Sequence, residues 1–270
     1  PAQSGRYVPR RPRTHAVSSV TATSGTAKAG ASKSRTAKSR AVRSKAPTLA
    51  LERELGAGGL LVAGMDEVGR GCLAGPVSVG VVVVDDSMRR QPAGLRDSKL
   101  LSAARRQALV DPIKRWVRGH AVGHASPAEI DEIGIIAALR LAGLRALDQL
   151  EMTPAVVLLD GNHNWLAQPE DLFAGFATEA GTADASPLRV VTAIKADMTC
   201  AAVAAASVLA KVERDAIMVA HGQVDTRFDW AANKGYASAS HIEGLRTWGP
   251  SELHRRSWQL PGVEGGMMVS

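Results

Sequence analysis

The chain has 270 residues with 33 Lys and Arg, 26 Asp and Glu, and two Cys. That length holds one or two domains, and two cysteines in no metal-ligand spacing, Cys72 and Cys200, argue against zinc and a disulfide framework and for a reducing, cytoplasmic setting. No apolar run approaches the roughly 18 residues of a membrane span, so a membrane partner is excluded.

The net charge of +7 hides an asymmetry: residues 1–50 carry eleven Lys and Arg and no acid, while the other 220 residues hold 22 basic against 26 acidic. Residues 1–46 are mostly Ser, Thr, Ala, Gly, Arg and Lys. With almost no large apolar side chains they cannot offset the entropy of ordering, and we expect a disordered basic tail over 1–50. Three readings of it stay open: an arm attracted to phosphates, a solvated extension without a task, or a transit peptide. Residues 51–270 form the folded body, with a helical extension from about 222.

In chain order, a short helix is expected over 48–56, then strands at 61–66 and 77–84. The second is the apolar run Val77-Ser78-Val79-Gly80-Val81-Val82-Val83-Val84, which reads as a buried strand. A polar loop, 96–102, leads into a helix over 103–117 with Ser102 as N-cap, followed by a strand at 119–125. Ser126-Pro127-Ala128-Glu129 opens a long amphipathic helix reaching about Leu150. A strand, Ala155-Val156-Val157-Leu158-Leu159-Asp160, ends in Asp and Gly. Residues 162–187, with Trp165, Phe173 and Phe176, read as a long loop, then a strand at 189–194, a helix from Met198 to about His221 capped by Asp197, a loop at 233–236 and a helix at 238–248. Strands alternating with helices predict an α/β fold around a central sheet.

Three apolar strands end in carboxylates: Asp66 with Glu67, Asp160, and Asp197 just after Ile194. Such strand ends share one edge of a sheet, where α/β sites form. Carboxylates brought together repel unless a cation neutralises them, so these four are candidate ligands for Mg²⁺; two such ions clamp the attacking and leaving oxygens of a phosphodiester. Taken singly, each acid is as well explained as a turn or cap residue. Because neighbours on a strand face opposite ways, Asp66 and Glu67 are expected to share a site only if the strand ends or kinks there. Gly69, Gly71 and Gly75 do not form a dinucleotide fingerprint, because three residues precede the last glycine and a strand, not a helix, follows.

Gly64-Met65-Asp66-Glu67-Val68-Gly69-Arg70-Gly71, Asp97-Ser98-Lys99, Leu159-Asp160-Gly161-Asn162, Lys195-Ala196-Asp197, Ala205-Ala206-Ser207-Val208-Leu209-Ala210-Lys211-Val212-Glu213-Arg214-Asp215, Lys234-Gly235-Tyr236 and His254-Arg255-Arg256-Ser257 together resemble bacterial ribonuclease HII, in order, from about 60 to 259. The resemblance implies a ribonuclease H-like mixed central sheet flanked by helices, with a C-terminal helical extension. It implies a monomeric endoribonuclease using Mg²⁺ or Mn²⁺. Its substrates would be RNA–DNA hybrids and duplex DNA nicked 5′ to an embedded ribonucleotide, leaving 3′-hydroxyl and 5′-phosphate ends. By the same resemblance Asp66, Glu67, Asp160 and Asp197 are the catalytic metal ligands. Gly69, Arg70 and Gly71 form the turn that reads the 2′-hydroxyl, and Tyr236 senses the ribonucleotide. Lys99, Lys234, Ser207 and Lys211 are further substrate contacts. His254, Arg255 and Arg256 either touch the DNA strand or are simply exposed; Glu213, Arg214 and Asp215 are expected to form helix-surface or supporting pairs; Met198, Cys72 and Cys200 pack. Departures from the family pattern are Ala196 and Met198 around the fourth acid, Asn233 before Lys-Gly-Tyr, Trp258, and a longer loop before Asp197 that offers Asp184 as a rival ligand. The alternatives are another nuclease on the same fold and a non-catalytic nucleic-acid binder with a vestigial acidic site.

Overall fold

The computed structural model describes residues 46–167 and 188–263; the tail and the part of the 162–187 loop with Phe173, Phe176 and Asp184 lie outside them. A five-stranded sheet forms the centre, with strands β1 (Val62–Val68), β2 (Val77–Val84), β3 (Gly119–Ala125), β4 (Val156–Asp160) and β5 (Arg189–Ala193) in the order β3-β2-β1-β4-β5. The β1–β2 and β2–β3 pairs are antiparallel; β4 and β5 continue parallel to β1.

Every residue of β2 is buried, because helices cover both faces, as expected of a continuous Val-rich run. On one face lie the helices α2 (Ala103–Trp116) and α5 (Ala201–Val224); on the other lies α3 (Pro127–Asp148). The α5 backbone approaches the sheet closely. A Cβ at Gly64 would come within 2.6 Å of Ala202, and one at Gly80 within 2.4 Å of the Ala206 carbonyl. The Ala-rich stretch 201–206 and these two glycines are the matched halves of that contact.

Three expectations need correction. The long helix over 127–150 starts at Ser126 as expected, its N-cap forming a capping box with Glu129, but Gly134 breaks it with φ 77° and ψ 160°. The apolar stripe changes phase there, which leaves Ile133 and Ile136 exposed while Ile130 and Leu139 stay buried. The single helix from Met198 is two: α4 (Ala196–Thr199) and α5, separated by extended Cys200. Thr48 causes the break. Its amide donates to the Thr199 carbonyl and its carbonyl accepts from the Ala201 amide, both at 2.9 Å. Asp197 is therefore inside the first turn of α4, not a cap. Finally, the C-terminal extension holds a short helix α6 (Trp230–Asn233) before α7 (Ala239–Trp248), which the sequence pattern did not reveal.

Glu52, in α1 (Ala50–Leu55), is buried and accepts the Ala202 amide at the start of α5 at 2.8 Å. Its other oxygen has no protein partner, and burial raises its pKa to about 6. Between the ordinary glutamate value of 4.5 and about 6 the folded chain binds more protons than the unfolded one. Stability therefore falls as pH rises through that window and levels off above it, by about 2 kcal/mol in all. Glu52→Gln should raise Tm at pH 7.5, with the gain vanishing below about pH 4.5; an equal gain at both pH values in thermal unfolding would contradict this.

Candidate active site

The four acids converge at the end of the sheet where β4 stops. The last β1–β4 partners are Met65 and Leu159, so Asp66 and Asp160 come next on neighbouring parallel strands. Asp197 follows β5, and its amide donates to Asp160 Oδ1 at 3.4 Å. Lys195, the residue before α4, takes the left-handed conformation at φ 60°. Ala196 is buried at the start of α4.

β1 neither ends nor kinks at Asp66: its register with β2 runs unbroken to Val68 opposite Ser78. Asp66 shares a face with Val62 and Gly64, toward α5, and Glu67 takes the other. Both still feel the charge of Asp160, because no strand continues past β4 to part them. Burial above all, with repulsion from Glu67 and Asp160, pushes Asp66 up to about 7 against the pull of Ser207 and Lys99. Burial likewise raises Glu67, opposed by Arg70, whose guanidinium lies 3.6 Å away, and it raises Asp197.

Lys99 is carried on a turn whose Asp97 side chain accepts the Lys99 amide at 3.1 Å. Its ammonium reaches Asp197 at 3.4 Å, with 70% of the side chain exposed. Partial desolvation works against that charge, but Asp66, Asp97 and Asp197 raise its pKa. Ser207 does not face an open groove. It is buried, 2.7 Å from the Ser98 hydroxyl, and braces the Lys99 turn beside Asp66.

The donor set fits a hard divalent cation: four carboxylates, no thiolate or imidazole, and a buried acid that ionises only against its neighbours. Among the described residues, no three His, Cys, Asp or Glu side chains close into a ready-made cage.

Beside the acids, the Gly69–Gly71 turn and the Tyr236 loop are joined. The Leu73 amide donates to the Gly235 carbonyl at 2.9 Å, and Asn233 shapes the loop by accepting the Gly235 amide at 2.8 Å and donating to Phe228 at 2.7 Å. Two fully buried guanidiniums hold this region, against the expectation that Arg255 is exposed or on DNA; of the two readings left open for Arg214, a helix-surface or a supporting residue, its burial leaves the second. Arg255 donates to the carbonyls of Gly69 (2.6 Å), Arg70 (2.7 Å) and Gly75 (3.2 Å). Arg214 donates to Ala74 (3.1 Å), Pro76 (2.8 Å) and Lys234 (2.9 Å). Gly69, at φ 82°, is required twice over, since a Cβ would lie 2.0 Å from the Arg214 side chain. His254 is buried too; Arg256 is exposed, and its amide donates to Asp131. Among the described residues neither buried arginine has a carboxylate within 4 Å, in contrast to Asp215, which pairs with Lys211 at 2.7 Å.

Tyr236 is 41% exposed. Its hydroxyl meets the buried Cys72 thiol, and burial followed by Cys72 pushes its pKa up to about 12. The buried Arg214 guanidinium lies 5.9 Å from the Tyr236 ring centroid. The Lys211 ammonium lies 5.4 Å from the ring centroid. Lys234 bends back onto the Ala231 and Ala232 carbonyls at the end of α6. Arg70, Gly71, Lys99 and Tyr236 are the exposed members of the predicted substrate set; Ser207 is buried and Lys211 largely so.

A family model described as Ribonuclease HII matches residues 63–260. The chain belongs to the ribonuclease HII family. It is 46% identical over 214 residues to Ribonuclease HII of Streptomyces avermitilis, covering 78% of this chain and 83% of that one. It is 42% identical to the Caulobacter vibrioides protein of that name, covering 76% and 87%. The crystal structure of ribonuclease H2 from Pyrococcus horikoshii superposes with a TM-score of 0.55 at 27% identity, covering 74% of this chain and 95% of that chain. The fold is therefore ribonuclease H-like, as the resemblance implied, and the chain is an endoribonuclease that hydrolyses the RNA strand of RNA–DNA hybrids. Among the described residues no helix is long and apolar enough to cross a membrane.

Proposed function

We propose that this ribonuclease HII also nicks duplex DNA on the 5′ side of a single embedded ribonucleotide, leaving a 3′-hydroxyl and a 5′-phosphate, and so serves to remove ribonucleotides from DNA. The observation that carries this is the junction of the Gly69–Gly71 turn with Tyr236 beside the strand-end acids. The 2′-hydroxyl, both donor and acceptor, is what tells RNA from DNA. The carbonyls of Gly69 and Arg70 are already taken by Arg255, which leaves the turn's amides to approach a sugar hydroxyl, while the exposed Tyr236 ring offers a packing surface for the adjoining sugar.

Asp66, Glu67, Asp160 and Asp197 would hold two divalent cations, Mg²⁺ or Mn²⁺. When bound, these supply charge neutralisation at the phosphate and activation of water. The acids' part is to gather negative charge that only a cation relieves. Lys99, next to Asp197, places a mobile positive charge at the rim for the phosphate, and Arg70 does the same beside Glu67. With no side-chain nucleophile required, positioning and electrostatics carry the rate.

Tyr236→Ala should lower cleavage at a single ribonucleotide by about tenfold or more, in the range expected for losing a positioning contact, while changing affinity for all-DNA duplex much less. Steady-state cleavage beside duplex binding checks this. Equal loss in both would make Tyr236 a structural residue.

A further inference from the structure

Behind Tyr236 the C-terminal extension holds two buried histidines that no step above uses. His241 on α7 and His254 are 0% and 1% exposed. Their ring nitrogens meet, Nε2 to Nε2, at 3.0 Å. The far nitrogen of His241, Nδ1, lies 2.8 Å from the Tyr236 carbonyl. The far nitrogen of His254, Nδ1, lies 2.9 Å from both the Ser251 amide and the Ser251 hydroxyl. The Trp230 indole N–H adds a third contact, 3.2 Å to His241 Nε2.

The proton positions follow from partners that have no choice. A carbonyl only accepts, so His241 Nδ1 carries hydrogen and donates to Tyr236. A backbone amide only donates, so His254 Nδ1 is bare and its hydrogen sits on Nε2, aimed at His241 Nε2. That nitrogen is bare in turn, and the indole N–H, which can only donate, agrees. The two ends assign the same tautomers independently. Both rings are neutral, and the bonds run in one direction from the Ser251 amide to the Tyr236 carbonyl. Burial pulls both imidazoles below their ordinary range, His254 to about 4 with repulsion from His241 added. The stacked pair Phe228–Trp230, 4.9 Å between centroids, and the Phe228 edge on His254 at 4.6 Å fix the rings in place.

The loop is tied through Leu73, Asn233 and Arg214 at Lys234 and Gly235, and His241 holds it at the next residue, on the Tyr236 carbonyl, which also accepts the Ser238 amide at 2.8 Å. Lys234 and Gly235 are in the left-handed region, at φ 56° and 85°. The same His254 forms an antiparallel bridge with Ala74, and Arg255 next to it holds the Gly69–Gly71 turn. We infer that His241 and His254 are positioning residues for ribonucleotide selection: a directional, neutral imidazole pair that sets the Tyr236 backbone relative to the Gly69–Gly71 turn. This rests on the reading of Tyr236 given above.

The test uses isosteric amides in the full-length protein. In Asn the side-chain nitrogen takes the place of Nδ1; in Gln it takes the place of Nε2. His241→Asn keeps the donor to Tyr236, and His241→Gln loses it. The readout is the ratio of kcat on a duplex with one ribonucleotide to kcat on an RNA–DNA hybrid, with circular dichroism confirming the folded fraction. We expect His241→Asn within about twofold of wild type in that ratio and His241→Gln lower by about tenfold, with KM little changed. His254→Gln, which retains the donor to His241, should behave as wild type; His254→Leu should behave as His241→Gln. Equal ratios for His241→Asn and His241→Gln, or losses that follow the folded fraction on both substrates, would overturn the inference while leaving Tyr236's role intact. A wild-type protein that cleaves the hybrid but not the single-ribonucleotide duplex would instead overturn the reading beneath it, and the inference with it.

Discussion

Asp66→Asn is expected to abolish cleavage of an RNA–DNA hybrid, by about a thousandfold or more, and to leave hybrid binding within a fewfold of wild type. The two halves have separate causes. Asp66 is the most buried of the four acids and the one that burial and its neighbours push to about 7. Its ionised form is held only at a cost that a cation would offset, and an amide of the same shape gathers no cation. The phosphate-facing charges of Lys99 and Arg70 are untouched by the change, so affinity persists. The sign of the stability change follows from the same shift. A carboxylate whose pKa is raised on folding opposes folding as pH rises from its ordinary value toward 7, so without metal Asp66→Asn should melt above wild type at pH 8, the difference closing below about pH 4. A variant that still turns over would remove Asp66 from the metal site, and one that melts lower at pH 8 would contradict the electrostatics.

The second large effect is at Arg255. Arg255→Met leaves the carbonyls of Arg70 and Gly75 unpaired, leaves that of Gly69 with only the Cys72 amide, and removes the guanidinium 4.8 Å from the Trp258 ring. Each stranded acceptor costs about 1–3 kcal/mol. Against this stands the relief of an arginine that burial pulls to about 10. The acceptors outnumber it, and the net loss should be about 3–5 kcal/mol, read from urea unfolding. Activity should fall further than the folded fraction, because the turn that meets the sugar is no longer held. Arg255→Lys should recover little, since an ammonium is a point charge and cannot span several carbonyls as a planar fork does. A loss below about 1 kcal/mol for Arg255→Met would show that the turn holds itself.

How far each residue was legible depends on whether its neighbours are local. Asp66, Asp160 and Asp197 stood out because each closes an apolar run in the sequence, although only Asp160 ends its strand: β1 runs on to Val68 and Asp197 lies in α4. The Val77–Val84 run and the N-cap at Ser126 were equally local. What was hidden is set by contacts across the chain. The break at Cys200 is made by Thr48, about 150 positions away, and no local pattern announces it. The strand through Asp66 and Glu67 was expected to stop, yet it is β4 that stops, and that is invisible from β1's own residues. Arg255 was read as exposed or DNA-facing, as a lone arginine usually is, and Arg214 as a helix-surface or supporting residue; only the surrounding carbonyls of two glycine-rich turns make their burial tolerable. Ser207 was placed on the correct helix face, but the Asp97–Lys99 turn that covers it comes from elsewhere.

The most direct test is cleavage of a labelled DNA duplex containing one ribonucleotide, with Mg²⁺, with Mn²⁺ and with chelator, beside an all-DNA control and an RNA–DNA hybrid. The account predicts a single nick on the 5′ side of the ribonucleotide, dependent on metal and absent from the control. Cleavage of the hybrid without that nick, or nicking of the all-DNA duplex at a comparable rate, would contradict the claim that the Gly69–Gly71 turn and Tyr236 read a single 2′-hydroxyl.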